Sequence, residues 1–257
     1  MINYNDLTIK FSDVTIFKEL NLHINQHSIV IGPNGSGKTT LIKATCGLIP
    51  YRGKILVDGQ GVKKIKNYLN LSTNIPEVYT IGREVKDIAE IYSEIKDLEL
   101  DVFRDLLKEL RIYDEVINKK IFKLSAGQSV IVRTVLALSS PSKNLLIDEP
   151  FENVDPSKRL IIARFLKENV KDGFITTHEL DLLKQFNSWP LYIILNGKVY
   201  GPIITEDFLN STIVEGEAPN AILTLDLDDK KISIVKDNGS GIKLLTLGNI
   251  NRLYGVL

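Results

Sequence analysis

Apolar and polar positions alternate in short runs at the start of the chain. Leu7-Thr8-Ile9-Lys10-Phe11 and Asn21-Leu22-His23-Ile24 have the two-residue period of a half-buried strand, and Ser28-Ile29-Val30-Ile31 predicts a buried strand that stops at Gly32. The period then becomes helical. Leu41, Ile42 and Thr45 share one face, with Gly47 and Pro50 as stop signals, so the spacing predicts a helix over Lys38 to Cys46. Between Thr80 and Leu110 charged residues interleave with Ile88, Ile91, Ile95, Leu98, Phe103, Leu106, Leu107 and Leu110, the pattern of a helical insertion built from two or more amphipathic helices. A second buried strand, Asn144-Leu145-Leu146-Ile147, ends in Asp148-Glu149-Pro150. A helical stretch from Ser157 to Val170 then leads to a third apolar run, Phe174-Ile175-Thr176-Thr177. Alternation of strand and helix predicts an α/β parallel sheet. Beyond Gly201-Pro202, Ala221-Ile222-Leu223-Thr224-Leu225 and Ile232-Ser233-Ile234-Val235, with a turn signal at Asp237-Asn238-Gly239, predict a small β-rich extension.

Composition narrows the class. With 257 residues and 44% hydrophobic content the chain can bury a large core, in one or two domains. Thirty-two basic residues balance thirty-two acidic ones, so net charge does not favour a polyanionic partner, and no nucleic acid is expected. Cys46 is the single cysteine, which fits a reducing compartment. The start, Met1-Ile2-Asn3-Tyr4-Asn5-Asp6, lacks the basic and apolar stretches of a signal peptide, and no window approaches the ~20 apolar residues that span a bilayer. The expectation is a cytoplasmic protein with no segment of its own in the membrane.

Gly32-Pro33-Asn34-Gly35-Ser36-Gly37-Lys38-Thr39 has the form glycine, four residues, Gly-Lys-Ser/Thr, between a predicted strand and a predicted helix. A chain that wraps phosphate oxygens with inward-pointing N–H groups needs backbone angles that side chains forbid, hence the glycines. The helix that follows offers its N-terminus to the anion. Lys38 supplies a mobile cation for the terminal phosphates, and the Thr39 hydroxyl can ligate a bridging magnesium ion. A plain glycine-rich turn with a surface lysine is the competing explanation. By residue frequencies, however, the four fixed positions arise by chance in roughly one chain of this length per hundred. Asp148 and Glu149 emerge at the carboxyl end of a buried strand, where open α/β sheets place their ligands. There Asp148 would hold the metal, and Glu149 would orient and deprotonate water.

Leu124-Ser125-Ala126-Gly127-Gln128 lies between the helical insertion and the Asp148-Glu149 strand, and it resembles the signature of ABC ATPases, with Ala126 in place of a glycine. Phe11 resembles the aromatic that stacks on adenine, Asp155 the aspartate of a dimer-contacting loop, and His178 the switch histidine that senses the γ-phosphate. The resemblance covers about residues 4 to 200 and implies a P-loop NTPase core with a mostly parallel sheet, an antiparallel β subdomain and a helical subdomain. It places an ATPase domain over 1–204, with the helical part at about 79–140, and a small β-rich extension over 205–257. It implies ATP and Mg2+ as ligands. ATP would be bound by Phe11, Asn34, Gly35, Ser36, Gly37, Lys38, Thr39 and Thr40, and the metal by Thr39 and Asp148. It further implies a head-to-tail homo- or heterodimer in which Ser125, Ala126, Gly127 and Gln128 act in trans on the partner's ATP. Glu149 and His178 are its catalytic pair.

Three departures from the family pattern stand out. The glutamine usually found in the loop leading into the helical insertion is absent from Tyr68-Leu69-Asn70-Leu71-Ser72-Thr73-Asn74-Ile75-Pro76, which offers Asn70, Ser72, Thr73 or Asn74 instead. The helix after the signature, Ser129-Val130-Ile131-Val132-Arg133, is more apolar, and Phe151-Glu152-Asn153-Val154-Asp155 replaces a commoner loop. The resemblance implies an ATP-hydrolysing subunit on the inner face of a membrane, working through a separate integral-membrane permease. A soluble ATP clamp for assembly or remodelling is the alternative. About 85 residues without heptads between phosphate loop and signature exclude the long coiled coil of chromosome-organising members.

Overall fold

A computed structural model describes residues 1–64, 69–227, 230–237 and 241–255, with residues 253–255 described by backbone only. Contacts group the chain into two units, Met1–Ile65 with Thr176–Leu257, and Lys66–Ile175. The first opens with β1 (Ile2–Phe11) and β2 (Val14–Ile24), an antiparallel pair. Both strands are longer than the alternation predicted. Register shifts between Tyr4 and Leu7, and between Leu7 and Ile9, interrupt the period of two, with Asp6 and Glu19 at positive φ. Next come β3 (Ser28–Ile31), buried at every position, the helix α1 (Lys38–Thr45), β4 (Arg52–Val57), antiparallel to β1, and the two-residue β5 (Gln60–Gly61). The order β2-β1-β4-β5 is the expected antiparallel β subdomain.

The second unit carries β6 (Leu71–Thr73), the helices α2 (Val85–Lys96), α3 (Leu100–Glu109), α4 (Tyr113–Val116) and α5 (Ala126–Leu138), then β7 (Asn144–Asp148), α6 (Pro156–Asn169) and the start of β8 (Asp172–Thr177). The interleaved stretch is thus helical, as its period predicts. α2 buries Val85, Ile88, Ala89 and Tyr92, and α3 buries Phe103 and Leu107. The apolar helix α5 is sunk into the unit, with Val130 to Val132 and Thr134 to Leu138 buried. β6 pairs parallel with β7.

In the first unit the chain resumes as β9 (Pro190–Leu195) and β10 (Lys198–Ile204), a hairpin whose Asn196-Gly197 turn has positive φ at both residues. β9 runs parallel to β3, so the strand before the phosphate loop sits inside a sheet. The extension comprises α7 (Thr205–Leu209), β11 (Ser211–Glu215), β12 (Ala221–Leu227), β13 (Lys230–Lys236), β14 (Ile242–Lys243) and α8 (Leu244–Leu247). Its antiparallel sheet has the order β12-β13-β11-β14, and Ile213, Ile232, Ile234, Leu244 and Leu247 fill its core. Of the turn expected at Asp237-Asn238-Gly239, Asn238 and Gly239 lie outside the described residues, as does Tyr68.

One buried polar contact ties the antiparallel subdomain to α1. The Thr45 hydroxyl donates to the Leu41 carbonyl at 2.8 Å, leaving its oxygen to accept from the Tyr4 phenol, also at 2.8 Å. Burial pushes the Tyr4 phenol far above the usual range, so it remains a donor. Tyr4→Phe should lower stability by about 0.5–1.5 kcal/mol, read as a shifted urea midpoint; an unchanged midpoint would show that the bond contributes nothing.

Candidate functional site

The phosphate loop of the first unit is shaped by close approach as well as by angle. Gly37 caps α1 at φ 105, and a Cβ there would stand 2.8 Å from both Ile16 and Phe17 side-chain atoms. No larger residue fits at that corner. Gly35 also has positive φ, and the Ser36 N–H donates to the Pro33 carbonyl at 3.1 Å, closing the turn. Lys38 is buried, and its amine donates to the Gly32 and Pro33 carbonyls at 2.7 and 3.2 Å. The ammonium thus clasps the start of its own loop. The Ser36 Oγ is buried without a hydrogen-bond partner, an uncommon condition that a bound acceptor or donor would relieve. A cavity of about 350 Å³ opens beside the loop, lined by Val14, Thr15, Ile16, Pro33 to Ser36 and the Asn196-Gly197 turn. Phe11, 43% exposed, is the register partner of Val14 on the cavity wall.

In the second unit Asp148 ends β7, and the side chain of Asn74 bonds both of its backbone groups. Asn74 accepts from the Asp148 N–H through Oδ1 at 2.7 Å and donates from Nδ2 to the Asp148 carbonyl at 2.9 Å, with a further bond to Thr134 Oγ1 at 3.1 Å. This pairing imitates one rung of a sheet. Arg133 completes the clasp from α5, donating to the Asn74 carbonyl at 2.9 Å and to the Ser129 carbonyl at 3.1 Å. Burial lowers the Arg133 pKa, and Tyr79, Asp148 and Glu77 oppose that shift. Of the four residues that could replace the absent glutamine, Asn74 therefore has its carboxamide committed to the acidic strand end. Glu149, the next residue, sits at φ 41, a left-handed setting that non-glycine residues adopt in a few per cent of cases.

Ser125 begins α5 as its N-cap. Its hydroxyl accepts from the Gln128 N–H at 3.2 Å, and Gln128 Oε1 accepts from the Ser125 N–H at 3.2 Å, a reciprocal capping box. Gln128 Nε2 also donates to Glu115 at 3.1 Å. Ser125 and Ala126 remain exposed. A Cβ on Gly127 would lie 2.3 Å from the Asn153 carbonyl oxygen, so the signature glycine is needed for packing within this chain. Asp155 caps α6 by accepting from the Ser157 N–H at 2.9 Å and its hydroxyl at 2.6 Å, bonds that hold its carboxyl below the usual range. Phe151 and Val154 are buried, which explains the departure from the commoner loop: both anchor the turn that presents Asp155. The structure thus places Asn34 to Ser36 on the cavity wall in one unit. In the other it packs Gly127 of the signature against Asn153, in the turn that leads from Glu149 to Asp155. His178 follows β8 in the first unit, and its carbonyl accepts from the Ile250 N–H at 3.0 Å. The Asn74 clasp and its Arg133 support were not predicted as such; the asparagine in the loop stretch was the only hint.

Residues 17–152 match the family model described as ABC transporter. A crystal structure named as that of a cobalt transport ATP-binding protein is 45% identical, covers 100% of both chains and superposes with a TM-score of 0.94. The energy-coupling factor transporter ATP-binding protein EcfA1 of Thermotoga maritima is 28% identical over 85% of this chain and 87% of its own length. CCR4-associated factor 16 of Saccharomyces cerevisiae is 29% identical over 92% of this chain and 90% of its own.

The clasp on Asp148 generates a stability prediction. Asn74→Leu keeps the volume but removes both side-chain hydrogen bonds to the Asp148 backbone, and should cost about 1–3 kcal/mol. A urea or thermal midpoint indistinguishable from that of the parent protein would mean that water replaces the carboxamide.

Proposed function

Because this chain belongs to the ABC transporter family as an ATP-binding subunit, we propose that it hydrolyses ATP with magnesium and drives a separate membrane permease. The observation that carries this reading is the intact phosphate loop, with its left-handed Gly37, buried Lys38 and partnerless Ser36 Oγ, in a chain whose fold matches a transport ATP-binding protein from end to end. In this reading the amides from Gly35 to Thr40 and the Lys38 ammonium receive the phosphates, and Asn34, whose N–H is bonded to Asn251 Oδ1, borders them. Phe11 stacks on the base beside the cavity. Thr39 and Asp148 supply hard oxygen donors to magnesium. Magnesium takes few protein ligands and completes its shell with phosphate and water. When bound, magnesium neutralises charge on the terminal phosphates.

Glu149 then orients and deprotonates the attacking water, with its backbone fixed in the left-handed region so that the carboxylate leaves the strand direction of Asp148. His178 reads the γ-phosphate. Ser125 and the α5 amides that its cap leaves exposed bind the γ-phosphate of a second copy, or of a different cassette, in a head-to-tail dimer. No helix among the described residues is long and apolar enough to cross a membrane. In this reading a separate chain provides the pathway and this subunit sits at its inner face. The relatives' names mention cobalt, phosphate and manganese, a spread that argues for cargo being chosen by the permease. The soluble ATP-clamp reading is kept by one observation, the full-length similarity to CCR4-associated factor 16, whose name contains no transport function.

Glu149→Gln should retain ATP binding, reduce turnover by two orders of magnitude or more, and accumulate as an ATP-dependent dimer in size-exclusion chromatography; full activity in this variant would remove Glu149 from the mechanism. The same variant, tagged and purified with ATP in mild detergent, should carry a polytopic membrane protein in stoichiometric amount. Soluble partners alone would instead select the clamp reading.

A further inference from the structure

The C-terminal extension reaches the phosphate loop. Asn251 Oδ1 accepts the amide hydrogen of Asn34 at 2.8 Å, a contact between residues 217 positions apart in the sequence. Asn34 is exposed and lies two residues after the opening glycine of the loop. Three further bonds hold Asn251 in place. Its own N–H donates to Asn249 Oδ1 at 2.8 Å, an Asx turn that fixes the backbone immediately before the contact. The segment just upstream pairs antiparallel with the chain leaving β8: Ile250 N–H donates to the His178 carbonyl, and Leu180 N–H to the Gly248 carbonyl, each at 3.0 Å. Beneath it Leu244, Leu247 and Ile250 are buried, so the segment is anchored by its apolar side and presents a polar one. A single stretch of four residues thus grips both the phosphate loop and the backbone of His178.

We infer that Asn251 is a positioning residue of the nucleotide site, pre-ordering the phosphate loop from the C-terminal extension. The inference rests on the ATP reading above. The physical basis is pre-organisation: a loop already held in its binding geometry loses less conformational freedom when ligand arrives. The Ser36 and Lys38 bonds hold Gly32 and Pro33, whereas Asn34 is held from outside the loop and is followed by Gly35, which has no side chain of its own to fix its backbone. The bond also leaves the amides from Gly35 onward outside its reach, so it steadies the loop without competing for the phosphates. By pinning His178 through its carbonyl, the same segment sets the phosphate loop and the switch residue in one register. A packing element without this role would contribute to stability and leave nucleotide affinity alone.

The test uses the full chain and three proteins: the parent, Asn251→Ala, which removes the acceptor, and Asn251→Asp, which keeps one. In the nucleotide-free state the Asn34 amide should exchange with solvent about two- to tenfold faster in Asn251→Ala, and remain slow in Asn251→Asp. The KM for ATP of Asn251→Ala should rise by a similar factor while kcat stays within about twofold of the parent. Equal exchange in parent and Asn251→Ala, an unchanged KM, or an Asp variant that exchanges as fast as the Ala variant would each overturn the inference. Failure of the parent itself to bind ATP would instead refute the nucleotide reading, a separate result.

Discussion

Everything in the first unit is arranged around one backbone corner. The chain leaves β3, turns through Gly35 and Gly37 at positive φ, and enters α1 in the space beside Ile16 and Phe17, where a single methyl group would collide. That corner explains why β2 must run past the loop, since its side chains floor the turn. It also explains why β3 is buried along its whole length, since the loop needs a rigid strand to spring from. Lys38 closes the corner from inside. Its ammonium is bonded to two carbonyls of its own loop, so a cation is stored where phosphate charge is expected, with local oxygen partners compensating its burial.

The second unit solves a related problem with side chains instead of glycines. An acidic strand end must present Asp148 and Glu149 in fixed directions, yet the last backbone groups of a strand tend to lose their ladder partners. Asn74 supplies both a donor and an acceptor to Asp148, and Arg133 holds Asn74 in turn. One of the four residues offered in place of the absent glutamine is thereby bound to the acidic strand. Gly127 shows a similar double use. It belongs to the signature, and the Asn153 carbonyl packs so close to it that α5 and the Asp155 turn must move together.

Local signals made most of this legible. The strands at Ser28 and Asn144, the helices after Gly37 and Asp155, and the amphipathic insertion all follow from periodicity and caps that lie within a few residues of each other. The phosphate loop was legible because its chemistry is written into consecutive residues. Strand lengths in β1 and β2 were underestimated because bulges at Asp6 and Glu19 break the alternation on which the reading depends. The clasp between Asn74 and Asp148 was not legible: an asparagine in a polar stretch looks like any loop residue, and its partner lies 74 positions away. The capping box at Ser125 was hidden in plain view, since the same serine and glutamine are read first as signature residues.

The contact from Asn251 to Asn34 extends that lesson to the site itself. Closing a loop of 217 residues costs only slightly more entropy than closing one of half that length, so distance in sequence is no obstacle once the extension has a core of its own. Ile213, Ile232, Leu244 and Leu247 provide that core. The extension therefore folds against β10 for reasons unrelated to nucleotide, and its residues Gly248 to Asn251 arrive at the phosphate loop and at His178 as a consequence. A motif confined to residues 32–39 marks the proposed phosphate site, whereas a hydrogen bond on its Asn34 amide comes from a residue 217 positions away. Two chains with identical phosphate loops can accordingly differ in how firmly the loop is held before ATP arrives, and in this fold that difference is located at the C-terminal end.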